Sequence, residues 1–281
     1  MSGYKSFAVV GGGTIGLPIL SALATKNISV ILLTRPESAD KKVPPGVQVV
    51  KVDFNNAGAV AAVLKQHKVD VFLSTVNVVA APERTHKALI EAAKLAAVNL
   101  FVPSEYGMTT EGYMEGYLAF KNQLAESLKA IGIPSARFYT GGFTENIPRL
   151  VGYSEHGKIR IIGTGEAPAS FTALGDIAGF VAHVLTTLPP AELENRIFRL
   201  EGDRTTLTEL GPLFKTSVEH LDEISGEPGK TKLLSLADRG ALSSGWNEAK
   251  KAEGTGADAA GSANVLWPGH QWKTIKDVHN L

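Results

Sequence analysis

Tyr117 and Lys121, in Tyr117-Leu118-Ala119-Phe120-Lys121, stand four residues apart, so on a helix they share one face. An ammonium beside a phenol or a substrate oxygen favours the oxyanion and lowers the phenol's pKa, which suits a pair that manages a proton. The plainer readings are a surface lysine on an amphipathic helix and a tyrosine packing at a helix start. A second set of chemistry-bearing residues lies in AVVGGGTIGLPILSAL, residues 8–23, with the spacing Gly11-x-Gly13-x-x-Gly16. In a strand–turn–helix unit the first glycine makes the tight turn and the second lets a pyrophosphate reach the main chain. The third lets the helix pack closely on the strand. The phosphates then sit on free N–H groups at the positive end of the helix dipole, with Thr14 and Ile15 inside the same loop.

The residue that selects the nucleotide is expected about 20 positions past the glycines, where an acid would bind a ribose 2′-hydroxyl. That place reads Leu33-Thr34-Arg35-Pro36, and the nearest acid, Glu37, follows the proline. Arg35 offers a guanidinium for a 2′-phosphate and Thr34 a hydroxyl, with Lys41 and Lys42 close in sequence, which favours NADP(H). Thr75, just past the Val69–Ser74 segment, joins the expected cofactor contacts. So do Gly142 and Phe143, which end a later strand where a small residue lets a nicotinamide lie flat. Ser104-Glu105-Tyr106 follows another strand at the edge where α/β ligands bind, either as a functional loop or as a loop cap. His156 reads as a surface-turn residue or a substrate contact. Trp246, Trp267 and Trp272 read as pocket closure or as packing. No histidine pair has metal-ligand spacing, with His67, His86 and His183 falling in expected helices, so no metal is expected.

Positioning these groups requires alternating strands and helices. Apolar runs at Ser6–Val10, Val30–Leu33, Val47–Val52, Val69–Ser74, Asn99–Val102 and Ile133–Tyr139 read as strands. Ile15, Ile19, Leu20 and Leu23 recur at helical spacing, and 57–67, 83–96 and 118–131 read as further helices. This order predicts an α/β chain with a doubly wound parallel sheet. The second half is less regular: strands at 158–162 and 197–200, helices at 176–186 and 207–214, and a Gly/Ala-rich flexible loop at 252–263. The expected division is a nucleotide-binding domain over 1–140 and a mainly substrate-binding region over 141–281, with some elements returning to the sheet.

The motif GGGTIG, the Thr34-Arg35 pair, PSEYG at 103–107, Lys121 eleven residues before Gly132-Ile133-Pro134, and the Asp176-Ile177-Ala178 helix start are the features that decide a family. Together they resemble the isoflavone-reductase-like, NmrA-like branch of the atypical short-chain dehydrogenases/reductases, and the similarity fades beyond about residue 220. The resemblance implies a Rossmann fold with a smaller C-terminal substrate region and NADPH as hydride donor. It also implies small, often phenolic or benzylic substrates and a catalytic lysine at Lys121. The family usually has Phe where this chain has Tyr106. In the wider superfamily a Tyr-x-x-x-Lys pair acts together, whereas in this branch the lysine usually works without the tyrosine, so Tyr117 stays open as a proton donor.

Lys plus Arg and Asp plus Glu both number 28 in 281 residues, so no electrostatic footprint for nucleic acid or an anionic membrane is expected. There are no cysteines, which excludes disulfides, thiolate catalysis and cysteine-ligated metals. The opening residues run directly into a strand, so no targeting peptide is expected, and a cytoplasmic protein is the plain reading. The function expected is an NADPH-dependent oxidoreductase of a small aromatic or phenolic molecule, with no nucleic-acid or membrane partner and a homodimer left open. The alternative is an NmrA-type NAD(P)-binding sensor or regulator without catalysis.

Overall fold

Ser6–Val10 (β1) is buried along its whole length, the mark of a strand covered on both faces. The computed structural model, which describes residues 3–281, continues through Gly16–Ala24 (α1), Ser29–Thr34 (β2), Gln48–Lys51 (β3) and Ala57–Gln66 (α2). Val71–Ser74 (β4), Glu83–Ala96 (α3), Leu100–Val102 (β5), Gly116–Ala130 (α4) and Ala136–Tyr139 (β6) follow. The strands form a parallel sheet in the order β3-β2-β1-β4-β5, with Phe7 beside Val30 and Val71, and Phe72 beside Phe101. A parallel bridge from Phe101 to Ser135 carries the sheet on toward β6. The doubly wound Rossmann-type sheet read from the alternation is present.

Side-chain alternation divides β1 between the two faces. Ala8 and Val10 join Ile31, Leu33, Phe72 and Phe101 in a core with Val60 and Leu64 of α2, Leu89 and Ala93 of α3, and Leu124 and Leu128 of α4. The helix α1, whose Ile19, Leu20 and Leu23 are fully buried, packs on β1 and β2. Asn56 caps α2 by accepting from the Ala59 N–H at 2.9 Å. At the opposite edge from the glycines, the Asp70 carboxylate accepts from the Lys5 and Ser6 N–H groups at 2.8 and 3.0 Å.

The later elements are Gly142–Phe143 (β7), Ile147–Leu150 (α5), Tyr153–His156 (α6), Ile159–Ile162 (β8), Pro168–Thr172 (β9) and Leu174–Thr187 (α7). After them come Arg196–Arg199 (β10), Asp203–Thr206 (β11), Leu210–Leu213 (α8), Val218–Leu221 (β12), Pro228–Asp238 (α9), Trp246–Asn247 (β13), Ala252–Glu253 (β14) and Ile275–His279 (α10). The strand β9 pairs antiparallel with β11 and parallel with β7, while β8 and β12 form a parallel pair. Two compact units result. One holds residues up to Glu105 with Tyr113–Arg137 and Ala178–Ile197, and the other holds Tyr106–Gly112, Phe138–Ile177 and Phe198–Leu281.

The 252–263 segment departs from the flexible loop expected of its composition. Its Ala252 and Glu253 pair with β13, and the Gly254 N–H donates to the Gly245 carbonyl at 2.8 Å. The Arg199 guanidinium donates to Asp258 at 3.3 Å. Long-range hydrogen bonds pin what local glycine content suggested was loose. Among the described residues no helix is long and apolar enough to cross a membrane, and no group of three His, Asp or Glu could hold a metal ion.

Candidate active site

The glycine loop joins β1 to α1 at the carboxyl edge of the sheet. Gly11 has φ +99°, a conformation that L side chains rarely adopt. A Cβ on Gly16 would run into the Gly11 carbonyl oxygen and the Thr75 hydroxyl. That hydroxyl donates toward the Gly11 carbonyl at 2.7 Å, tying the loop to the end of β4. Gly13 is the reverse case, exposed and with nothing within 4 Å of where a Cβ would stand. The helix α1 begins after Ile15 with no side-chain cap, so its first N–H groups and its dipole face outward. The loop is thus tight where it must pack and open where a diphosphate would approach.

The same edge carries an open cavity of about 750 Å³ lined by Gly11, Gly13, Thr34, Arg35, Lys41 and Thr75 among others. Thr34 is buried at the end of β2, and the Arg35 side chain is 65% exposed with its Nε 3.4 Å from Glu37. An ion pair this exposed contributes only about 0–1 kcal/mol, so Arg35 gives it up readily for a stronger anion. The stem of Lys41 lies beside Gly12, and Thr14 is exposed at the turn itself.

Lys121 lies on α4 with its side chain only 14% exposed. Its Nζ donates to the Glu105 carbonyl oxygen at 2.6 Å and stands 3.8 Å from the Glu105 carboxylate. Arg137, from β6, donates to the other oxygen of that carboxylate at 2.9 Å. Burial pulls the Lys121 ammonium below the usual lysine range, Glu105 pulls it back up, and Arg137 pushes it down again. Tyr117 shares the helix, but burial pushes its phenol up to about 12. Desolvation is the cause, and the Lys121 Nζ is directed to Glu105, so the phenol is raised where the pair was expected to lower it. Ser74, His86, Ser104, Glu105 and Lys121 line a second, small cavity.

Gly11, Gly13, Thr34, Arg35 and Thr75 are therefore brought together, with Ile15 and Gly16 at the adjoining helix start. Lys121 and Tyr117 lie in the same compact unit. Gly142 and Phe143 pair with Phe171 and Thr172 in the other unit. His156 is an exposed residue beside Arg160, at 2.8 Å. Trp267 stacks on His270 with ring centres 3.6 Å apart and meets Trp272 edge-on, whereas Trp246 sits over Gly240. Two participants escaped the sequence reading. Arg137 is a lone charge within a buried strand, and His86 shares the spacing of Leu89, Ile90 and Ala93 on a buried helix face. Both signals are visible in retrospect as polar residues inside apolar patterns.

The profile of the NmrA-like family matches residues 4–225. The chain belongs to the NmrA-like family. This NmrA-like protein is 31% identical over 151 residues to a protein named oxidoreductase aprR from Aspergillus flavus. The match takes in 50% of this chain and 49% of that one, so the chain spans about half the length of the curated relative it matches. A structure from the pinoresinol-lariciresinol and phenylcoumaran benzylic ether reductases superposes with a TM-score of 0.76 at 19% identity, covering 98% of this chain and 97% of its own. A binary complex of leucoanthocyanidin reductase with NADPH from Vitis vinifera gives 0.75 at 18% identity, with 98% of both chains covered. These two likenesses establish the fold.

Proposed function

We propose that this NmrA-like protein is an NADPH-dependent reductase of a small aromatic or phenolic substrate. The observation that carries the reading is Lys121, a lysine buried at the carboxyl edge and fixed by Glu105 in the unit that holds the glycine cradle. A protein that only sensed the nucleotide would need the cradle but would gain nothing from so costly a buried ammonium. The name of the fungal relative, an oxidoreductase, and those of the two fold neighbours described above, both reductases, support the same class.

The residues fit the cofactor. N–H groups at the start of α1 would hold the pyrophosphate where Gly13 leaves room, with Gly11, Thr14, Ile15, Gly16 and Thr75 shaping the loop. Thr34 and Arg35 would hold the 2′-phosphate. Gly142 and Phe143 enter the proposal as cofactor contacts on their sequence position. NADPH, when bound, supplies a hydride. Lys121 would give a proton to the substrate oxygen as that hydride is accepted, and its burial makes the ammonium a better acid than an exposed lysine. Tyr117, as a phenol pushed up to about 12, is the poorer donor.

The decisive test follows NADPH absorbance in the presence of phenolic ethers, enones, quinones and aldehydes. Oxidation with one class supports the reductase. Tight nucleotide binding with no oxidation across the panel returns the sensor reading. The cofactor preference is a separate expectation: NADPH should bind at least about tenfold tighter than NADH, about 1.4 kcal/mol. Arg35→Ala should remove most of that difference. Titration of both nucleotides against both proteins measures it, and equal wild-type affinities would remove Arg35 from the site.

A further inference from the structure

The small cavity beside Lys121 lies among α3, α4 and the carboxyl ends of β4 and β5. About 10 Å³ of it is open to the centre of a water-sized molecule, room for one such guest. His86 is 4% exposed and packs edge-on against Phe120, with ring centres 5.9 Å apart. Its Nε2 has no hydrogen-bond partner among the described residues, and neither has the Oγ of Ser74, which is 2% exposed. Buried polar atoms are nearly always satisfied, so two such atoms lining one small cavity call for a hydrogen-bonding guest. Lys121 supplies the third pole. Its ammonium has three donors, of which the Glu105 carbonyl takes one at 2.6 Å, while the Glu105 carboxylate stands 3.8 Å away, beyond hydrogen-bond reach.

We propose that Ser74, His86 and Lys121 bind one small hydrogen-bonding molecule, water in the resting protein, through which His86 acts as a positioning residue for the Lys121 ammonium. This rests on the reading of Lys121 as the proton donor. The charged and titratable groups around the pair are Glu105 after β5, Arg137 on β6, and Glu83 and Lys87 on α3. Burial and the Lys121 charge hold the imidazole neutral, against the opposing pull of Glu83. A neutral imidazole keeps one ring nitrogen as an acceptor. With the proton on Nδ1, the guest accepts from Lys121 and donates to Nε2, so His86 favours the charged amine and opposes the effect of burial. Loss of that acceptor makes Lys121 give up its proton at lower pH.

The test uses the full chain with His86→Phe, His86→Gln and Ser74→Ala. Competitive acetylation by acetic anhydride, read at Lys121 by mass spectrometry across pH, gives the lysine titration without turnover. His86→Phe should move it to lower pH by at least about half a unit, roughly a threefold change in ionisation constant. The alkaline limb of kcat/KM should move with it. His86→Gln, which keeps an acceptor, should restore most of the shift, and Ser74→Ala should move it less but in the same direction. A structural role alone would lower activity at every pH and leave the titration in place. An unmoved titration in His86→Phe overturns the proposal; if that variant does not fold, an unmoved titration in Ser74→Ala does so. A titration that shifts as expected in a protein that leaves NADPH unoxidised with every substrate class of the panel upholds the guest site and removes the reductase reading instead.

Discussion

Replacing Lys121 with methionine should lower turnover about a hundredfold or more, the low end of what a lost acid–base group costs. Methionine keeps the length and most of the bulk of the stem but cannot donate to Glu105 or to a substrate oxygen. Glu105 keeps its Arg137 partner, at 2.9 Å, so no anion is abandoned in the interior. Tyr117→Phe removes a hydroxyl that burial already makes a weak acid, and should stay within a few-fold of wild type. If the phenol were the donor, each single variant would lose as much as the double, because groups that act as a unit are not additive. Steady-state rates of the three variants, on whichever substrate the wild type reduces, separate the cases. Full activity in Lys121→Met would remove the mechanism.

Gly13→Val should abolish the stabilisation that NADPH confers while leaving the free protein nearly as stable as before. Nothing lies within 4 Å of the added Cβ, and Gly13 does not have the left-handed backbone of Gly11. The new side chain therefore meets little protein and stands where the diphosphate must come. At a hundred times its dissociation constant the nucleotide adds about 2.7 kcal/mol to the wild type, visible as a higher Tm. The variant should show none of it. The same experiment at Gly16 would be uninformative, since a Cβ there collides with the loop's own backbone. A Tm shift retained in Gly13→Val would place the phosphates elsewhere.

The first half of the chain was legible because its information is local. The 83–96 segment carries its helical period within itself and forms α3 over those residues. Strands buried on both faces, such as β1, read as unbroken apolar runs. The later half depends on partners far away in sequence. The strand β12 exists through pairing with β8, Val218 beside Ile159, and its Val-Glu-His-Leu carries no local mark of it. The β9–β11 pair and α9 went unread for the same reason. At the candidate site, the glycines and Lys121 stand out in the sequence by type and spacing, whereas Arg137 and His86 enter it only through what folding places beside them. Glu105 lies in the Ser104-Glu105-Tyr106 loop that the sequence marks, but its pairing with Arg137 and the cavity at Ser74 appear in no local pattern.

The division into two units has a consequence for synthesis. The chain passes between them after Glu105, Gly112, Arg137, Ile177 and Ile197, so neither is a continuous stretch. A ribosome that has delivered the glycine loop, β4 and Lys121 has not delivered the unit that contains them. That unit still lacks Ala178–Ile197, with the fully buried Phe180, Val181, Val184 and Leu185. Apolar surface meant for those side chains stays uncovered until residue 197 has left the exit tunnel, while only Tyr106–Gly112 and Phe138–Ile177 of the other unit have emerged in between. The nascent protein therefore spends the middle of its translation as an incomplete core, the stage at which it most needs a chaperone.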